Sequence, residues 1–159
     1  MTAFTITPDP LTSRDVLDLL RLHLDEMHAS SPACKVHSLP PERLREDDVT
    51  FFAVREGHVL AAVGALKDLG HRRGELKSMR AAPEYRGKGA GRALLDHLIA
   101  EAKRRGMDWL GLETGRTQVF AAAHRLYEAY GFRECGSFDN YTSDEFSMCM
   151  ELDLKEHSQ

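Results

Sequence analysis

Arg86-Gly87-Lys88-Gly89-Ala90-Gly91-Arg92 places three glycines and three cations between a predicted strand and a predicted amphipathic helix. Glycine lets backbone N–H groups approach an anion closely, and the partial positive charge of a helix N-terminus attracts that anion. The three basic side chains add further positive charge. The stretch therefore predicts a diphosphate-binding loop, and the simpler alternative is a glycine-rich turn before a helix.

Two familiar phosphate-binding motifs do not fit this loop. A Walker A motif needs Ser or Thr directly after its lysine, but Lys88 is followed by Gly89. A dinucleotide fingerprint needs the spacing GxGxxG, whereas Gly87, Gly89 and Gly91 give GxGxG with no early βαβ unit around them. A nucleoside triphosphatase and a dinucleotide-dependent oxidoreductase are therefore disfavoured.

The pattern on both sides of the loop alternates between strand and helix. Residues 50–55 and 58–66 are β-rich and flank Glu56-Gly57, which predicts an antiparallel hairpin. Apolar residues at helical spacing predict a first helix after Thr12 or Ser13 and a longer one over 90–105 that ends before Gly106. These elements predict an α/β (α+β) fold with a central mixed, mostly antiparallel sheet and helices on both faces. The remaining predicted elements are strands over 4–7, 75–82, 109–113, 132–137 and 145–154, a charged turn over 68–74, and a helix over 119–130.

Composition limits the function further. A chain of 159 residues with 42% hydrophobic and 29% charged residues predicts one globular domain over 1–159. A net charge of -4 argues against nucleic acid as a partner, and no apolar run approaches the roughly 20 residues of a membrane helix. Without a signal-peptide pattern at the start, we expect a cytoplasmic protein. The odd set Cys34, Cys135 and Cys149 predicts no disulfide, and the histidine spacing predicts no metal site.

Two ordered motifs carry a family resemblance. Residues 86–91 match the signature Arg/Gln-x-x-Gly-x-Gly/Ala, and residues 126–132 match Leu-Tyr-x-x-x-Gly-Phe. The chain resembles the GNAT superfamily of N-acetyltransferases from about residue 50 to residue 154. Residues 75–80, 112–115 and 135–138 are similar to a bacterial branch whose members are often labelled small-molecule acetyltransferases and whose substrates are largely unsettled. The resemblance implies that the fourth and fifth strands splay apart, that acetyl-CoA lies in the gap as cofactor, and that the protein can form a homodimer.

The resemblance also implies roles for the coenzyme-binding residues. The N–H groups of residues 86–92, Ala90 included, would hold the diphosphate. The backbone of Met79, Arg80 and Ala81 would pair with pantetheine, and an N–H there would polarise the thioester carbonyl. One position departs from the family pattern, because many relatives carry asparagine where this chain has Phe120. Gln118 or Arg116 could supply that contact, and the sequence leaves the choice open.

The implied reaction is direct attack by an amine, since the chain offers no Cys/His or Ser/His arrangement for a covalent intermediate. An alkyl amine with a pKa of about 10.4 must first lose a proton. Glu75 is the first candidate base, with Glu113 or a water chain as alternatives, and Tyr127 would protonate the leaving thiolate. The competing interpretations are that Glu75 is a solvated charge at a strand edge and that Tyr127, like Tyr130, only packs on the sheet.

The acceptor site is predicted from a few polar residues. His37 lies in a proline-bearing loop that relatives use to line the acceptor pocket, and Lys67, Lys77 and Arg116 are candidates to bind an acceptor carboxylate. Glu113 lies on the strand next to Glu75. We expect a small-molecule amine as acceptor. The alternatives are an acetyltransferase that modifies a protein amine and a coenzyme-A-binding regulatory module without turnover.

Overall fold

The computed structural model describes residues 4–30, 46–115, 120–136 and 147–155. Within these ranges the chain forms seven strands, three α-helices and one 3-10 turn at Pro83–Tyr85. The strands are β1 (Thr5–Pro8), β2 (Val49–Glu56), β3 (Val59–Gly70), β4 (Arg73–Ala81), β5 (Trp109–Gly115), β6 (Arg133–Cys135) and β7 (Ser147–Asp153). The helices are α1 (Arg14–Ser30), α2 (Ala90–Arg104) and α3 (Ala121–Ala129).

All seven strands belong to one sheet in the order β1-β2-β3-β4-β5-β7-β6. Only β4 and β5 are parallel, and every other neighbouring pair is antiparallel. A parallel pair needs a long crossover connection, and here α2 supplies it. The predicted mixed, mostly antiparallel sheet is confirmed.

Helices pack on both faces of the sheet, as predicted. On one face α1 contributes Val16, Leu19 and Leu20 to a cluster with β2 and β3 residues such as Phe51 and Ala65. The opposite face is covered by α2 and α3 and holds the larger cluster, whose fully buried members include Leu66, Leu94, Leu95, Leu98, Leu110 and Leu112. Each such leucine contributes about 1.5–3 kcal/mol of burial free energy. The two faces are called the α1 face and the α2 face below.

The hairpins differ in how well the sequence predicted them. Gly57 has φ +62° in the turn between β2 and β3, as a tight hairpin requires. The predicted charged turn over 68–74 is wrong, because β3 continues to Gly70 and β4 begins at Arg73. Only His71 and Arg72 form the turn, both with positive φ. The charged side chains of this segment reach solvent while its backbone stays paired, which charge patterning alone does not reveal.

Candidate active site

The parallel strands β4 and β5 pair over only part of their length. Arg73–Leu76 of β4 pair with Trp109–Leu112 of β5, and beyond this point the two strands no longer pair. β4 nevertheless continues to Ala81, still bonded to β3 on its other edge, and β5 continues to Gly115. The edge of residues 77–81 that faces β5 is therefore open. This β4–β5 cleft lies at the carboxyl ends of two parallel strands, where α/β proteins bind ligands.

A β-bulge lies on β4 at the start of the cleft. Lys77 pairs with Ala65 and Arg80 with Val63, so two residues, Ser78 and Met79, stand opposite the single Gly64. A Cβ at Gly64 would lie only 2.6 Å from Met79 Sδ, so the absent side chain is what lets Met79 pack there. Ser78 has φ +55°, which is unusual for a residue other than glycine. The bulge turns the backbone at the place where pantetheine is predicted to pair.

The glycine-rich loop leads into α2. Two of its backbone donors are already bonded, Arg86 N–H to the Pro83 carbonyl at 3.5 Å and Lys88 N–H to the Tyr85 carbonyl at 3.1 Å. Gly87 and Gly89 have φ +75° and +91°, and Gly89 caps α2 without any side-chain hydrogen bond. The first bond of the helix runs from Ala93 N–H to the Gly89 carbonyl at 2.9 Å. The N–H groups of Ala90, Gly91 and Arg92 precede that bond and have no acceptor within the helix. Such a helix N-terminus suits a diphosphate.

The basic side chains around the loop contact neighbours from other elements. Arg86 Nη2 lies 3.4 Å from Glu26 Oε1 of α1, and Arg80 forms an ion pair with the same carboxylate. The hydrogen bond from Arg80 is the main reason that the pKa of Glu26 is lowered. The ammonium of Lys88 lies 6.0 Å from the centre of the Tyr85 ring. Sequence reasoning did not find Glu26, because only the tertiary fold brings α1 over β4.

Glu75 and Lys77 form a buried ion pair on the α1 face. Lys77 Nζ donates a hydrogen bond to Glu75 Oε2 at 3.1 Å, and Glu75 is only 1% exposed. Glu75 Oε1 is also buried and has no hydrogen-bond partner among the described residues. The interpretation of Glu75 as a solvated strand-edge charge is therefore wrong. Lys67 of β3 is the residue opposite Glu75 in the register of β3 and β4, so its side chain lies on the same face of the sheet. Strand alternation places Glu113 of β5 on that face as well.

Tyr127 lies on α3 in the cluster of the α2 face. Its ring makes an edge-to-face contact with Phe132 at a centroid distance of 5.7 Å. Burial raises the pKa of the Tyr127 phenol to about 12. Glu75 and Tyr127 thus lie on opposite faces of the sheet. Tyr130, three residues later, packs against the same cluster and donates a hydrogen bond to Asp96 Oδ1 of α2 at 2.8 Å.

Two contacts connect the start of α3 with the end of β5, one a hydrogen bond and the other a packing contact. His124 Nε2 lies 2.7 Å from the Gly115 carbonyl oxygen and donates to it. The Phe120 ring packs directly on Gly115, since a Cβ there would lie 2.2 Å from the ring. Phe120, His124 and Tyr127 follow at helical spacing, and this spacing is the signal in the sequence that indicates their shared helix face. Phe120 therefore supports the helix that carries Tyr127.

Some predicted positions fall outside the described ranges, namely His37, Arg116 and Gln118. Within the described ranges, no group of three or more His, Cys, Asp or Glu side chains is placed to hold a metal ion. No described helix is long and apolar enough to cross a membrane.

A partly splayed parallel pair with a glycine-capped helix at its open end defines the class of acyl-CoA N-acyltransferases. The family model described as acetyltransferase (GNAT) family matches residues 16–132. The chain belongs to the GNAT acetyltransferase family, and it is an acetyl-CoA-dependent N-acetyltransferase.

Full-length relatives agree with this assignment. The chain is 43% identical to the uncharacterized N-acetyltransferase YsnE of Bacillus subtilis, over 92% of this chain and 97% of that protein. It is 41% identical to the uncharacterized N-acetyltransferase YedL of Escherichia coli, over 98% of each. A Klebsiella pneumoniae structure assigned to the acyl-CoA N-acyltransferases superposes with a TM-score of 0.75 at 30% identity, covering 95% of this chain and 97% of that one.

Proposed function

We propose that the chain transfers the acetyl group of acetyl-CoA to the amino group of a small-molecule acceptor by direct attack in a ternary complex. The observation that carries this proposal is the β4–β5 cleft, with the open donors of α2 at one end and the buried Glu75 at the other. We further propose that residues 1–159 form one domain and that the protein works as a homodimer in the cytoplasm.

The donor acetyl-CoA is proposed to lie along β4. N–H groups of the stretch 86–92, above all those of Ala90, Gly91 and Arg92, bind its diphosphate, and pantetheine pairs with the open edge at Met79, Arg80 and Ala81. This arrangement is supported by the loss of β4–β5 pairing after Leu76, which leaves that edge available. A backbone N–H beside the bulge at Ser78 donates to the thioester carbonyl. One such donor, placed where negative charge develops, contributes about 3 kcal/mol to transition-state stabilisation.

The chemistry needs three proton transfers. Glu75 removes a proton from the acceptor ammonium, and the neutral amine attacks the thioester carbonyl carbon. The C–S bond then breaks, Tyr127 supplies the proton that the departing thiolate takes, and the second proton lost by the attacking nitrogen restores the Tyr127 phenol. The buried and unpartnered Glu75 Oε1 supports the first role. Glu113, on the same face, is the alternative base.

The acceptor is proposed to be compact and to carry a carboxylate. Glu75 and Lys77 are both buried, so we expect only a small acceptor to bring its amine to Glu75. Lys77 already compensates the Glu75 charge, so the partly exposed Lys67 is the better candidate to bind a carboxylate among the described residues. His37 and Arg116 remain predicted acceptor-binding positions.

The test is thiol release from acetyl-CoA by the purified chain with a panel of amines. The panel contains amino acids, polyamines, a lysine-containing peptide and a peptide with a free N-terminus. We expect turnover with one of the small amines, fastest with a carboxylate-bearing one. Turnover with the peptides alone would replace this proposal with a protein acetyltransferase. A rise in Tm with acetyl-CoA but no free thiol with any amine would favour a non-catalytic coenzyme-A-binding module.

A further inference from the structure

Ser78 combines two unfavourable features at one position. Its φ of +55° is a backbone conformation that glycine adopts without penalty and that side chains disfavour. Its hydroxyl is buried, and Ser78 Oγ has no hydrogen-bond partner among the described residues. An unsatisfied buried polar group destabilises a protein, so both features oppose folding of this segment. Glycine would remove both of them.

The position of Ser78 connects these features to the reaction site. Ser78 lies two residues beyond Leu76, the last β4 residue paired with β5, and so stands where the cleft opens. Lys77 on one side of it pairs with Glu75, the proposed base. Met79 on the other side begins the proposed pantetheine edge. Unusual backbone conformations and unsatisfied polar groups concentrate at functional sites, where a ligand supplies the missing partner.

We infer that the Ser78 hydroxyl binds the acetyl end of acetyl-CoA, donating a hydrogen bond to the thioester carbonyl oxygen beside the backbone N–H of the bulge. The inference rests on the proposed placement of acetyl-CoA in the cleft. A hydroxyl here adds a second donor to the oxygen on which negative charge develops, and its fixed position in a bulge keeps it in place before the reaction. Ser78 is thus a catalytic residue in addition to Glu75 and Tyr127.

Two substitutions separate the hydroxyl from the backbone. Ser78→Ala removes the hydroxyl and keeps the disfavoured φ, whereas Ser78→Gly removes the hydroxyl and relieves the φ. We expect kcat to fall on the order of tenfold or more in both variants. Titration calorimetry should show an unchanged Kd for CoA, which lacks the acetyl group, and a several-fold weaker Kd for acetyl-CoA. Ser78→Gly should melt at a higher temperature than Ser78→Ala.

Arg72→Gly is the matched control, because Arg72 also has positive φ (+64°) but lies in the exposed turn between β3 and β4. We expect it to leave kcat and both Kd values unchanged. Wild-type kcat in Ser78→Gly would overturn the inference, because backbone conformation would then be all that this position supplies. An equal loss of affinity for CoA and acetyl-CoA would also overturn it. Absence of transfer by the wild-type chain would instead contradict the proposed function itself.

Discussion

Replacing Tyr127 with phenylalanine tests the proposed acid most directly. The substitution removes one oxygen and keeps the ring, so the edge-to-face contact with Phe132 at 5.7 Å is preserved. Loss of a positioned general acid lowers kcat by roughly 10²-fold or more, which corresponds to about 2.7 kcal/mol of barrier. The Kd for acetyl-CoA should change by less than about threefold, because the diphosphate contacts lie on α2.

The pH dependence gives an independent check on the same residue. An ordinary phenol is half ionised at pH 10, whereas one with the raised pKa of about 12 is only about 1% ionised there. Tyr127 therefore keeps its proton throughout the range in which the acceptor amine loses its own. We expect wild-type kcat to show no fall attributable to Tyr127 between pH 7 and pH 10, measured as thiol release with the best amine of the panel.

Tyr130→Phe is the matched control for Tyr127→Phe. Tyr130 undergoes the same chemical change three residues later, its pKa is also raised to about 12, and its hydroxyl bonds Asp96 on the outside of α2. We expect this control to retain kcat. Tyr127 is not the acid if Tyr127→Phe turns over like the wild type, or if the two variants lose the same activity.

Three further predictions concern the loop, the buried ion pair and pH. Gly89→Ala should raise the Kd for acetyl-CoA in calorimetry, because φ +91° at the α2 cap is strained for alanine. Gly106→Ala, with φ +80° just beyond the other end of α2, should lose similar stability and no affinity. Glu75→Gln should abolish most acetyl transfer, and it should lower the unfolding free energy by about 3–5 kcal/mol because the Lys77 charge stays buried without the Glu75 carboxylate. The double variant Glu75→Gln/Lys77→Met should regain stability in urea titrations but not activity. Burial lowers the pKa of His23 to about 4, so below pH 6.5 the unfolded chain binds a proton at His23 that the folded chain does not bind. The unfolding free energy should therefore fall by about 2 kcal/mol from pH 7 to pH 5, and His23→Gln should flatten this pH dependence.

The placement of the site residues shows where sequence reasoning succeeded. The glycines of residues 86–91 were identified correctly as the entry to a helix, because a cap and its positive φ values depend on neighbouring residues only. The β2–β3 hairpin was predicted for the same reason. The full length of β3 and β4 on either side of His71 and Arg72 was not predicted, since pairing between two strands can continue through charged residues whose side chains reach water.

Periodicity, caps and short motifs are properties of adjacent residues, and they were enough to identify the mixed fold, the loop before α2 and the family. The burial of Glu75 against Lys77 and the separation of β4 and β5 after Leu76 became visible only in the folded chain. The same holds for the contacts of Glu26 with Arg80 and of Gly115 with His124. Burial and long-range contacts depend on how elements distant in sequence pack together, and no local pattern of residues encodes that packing.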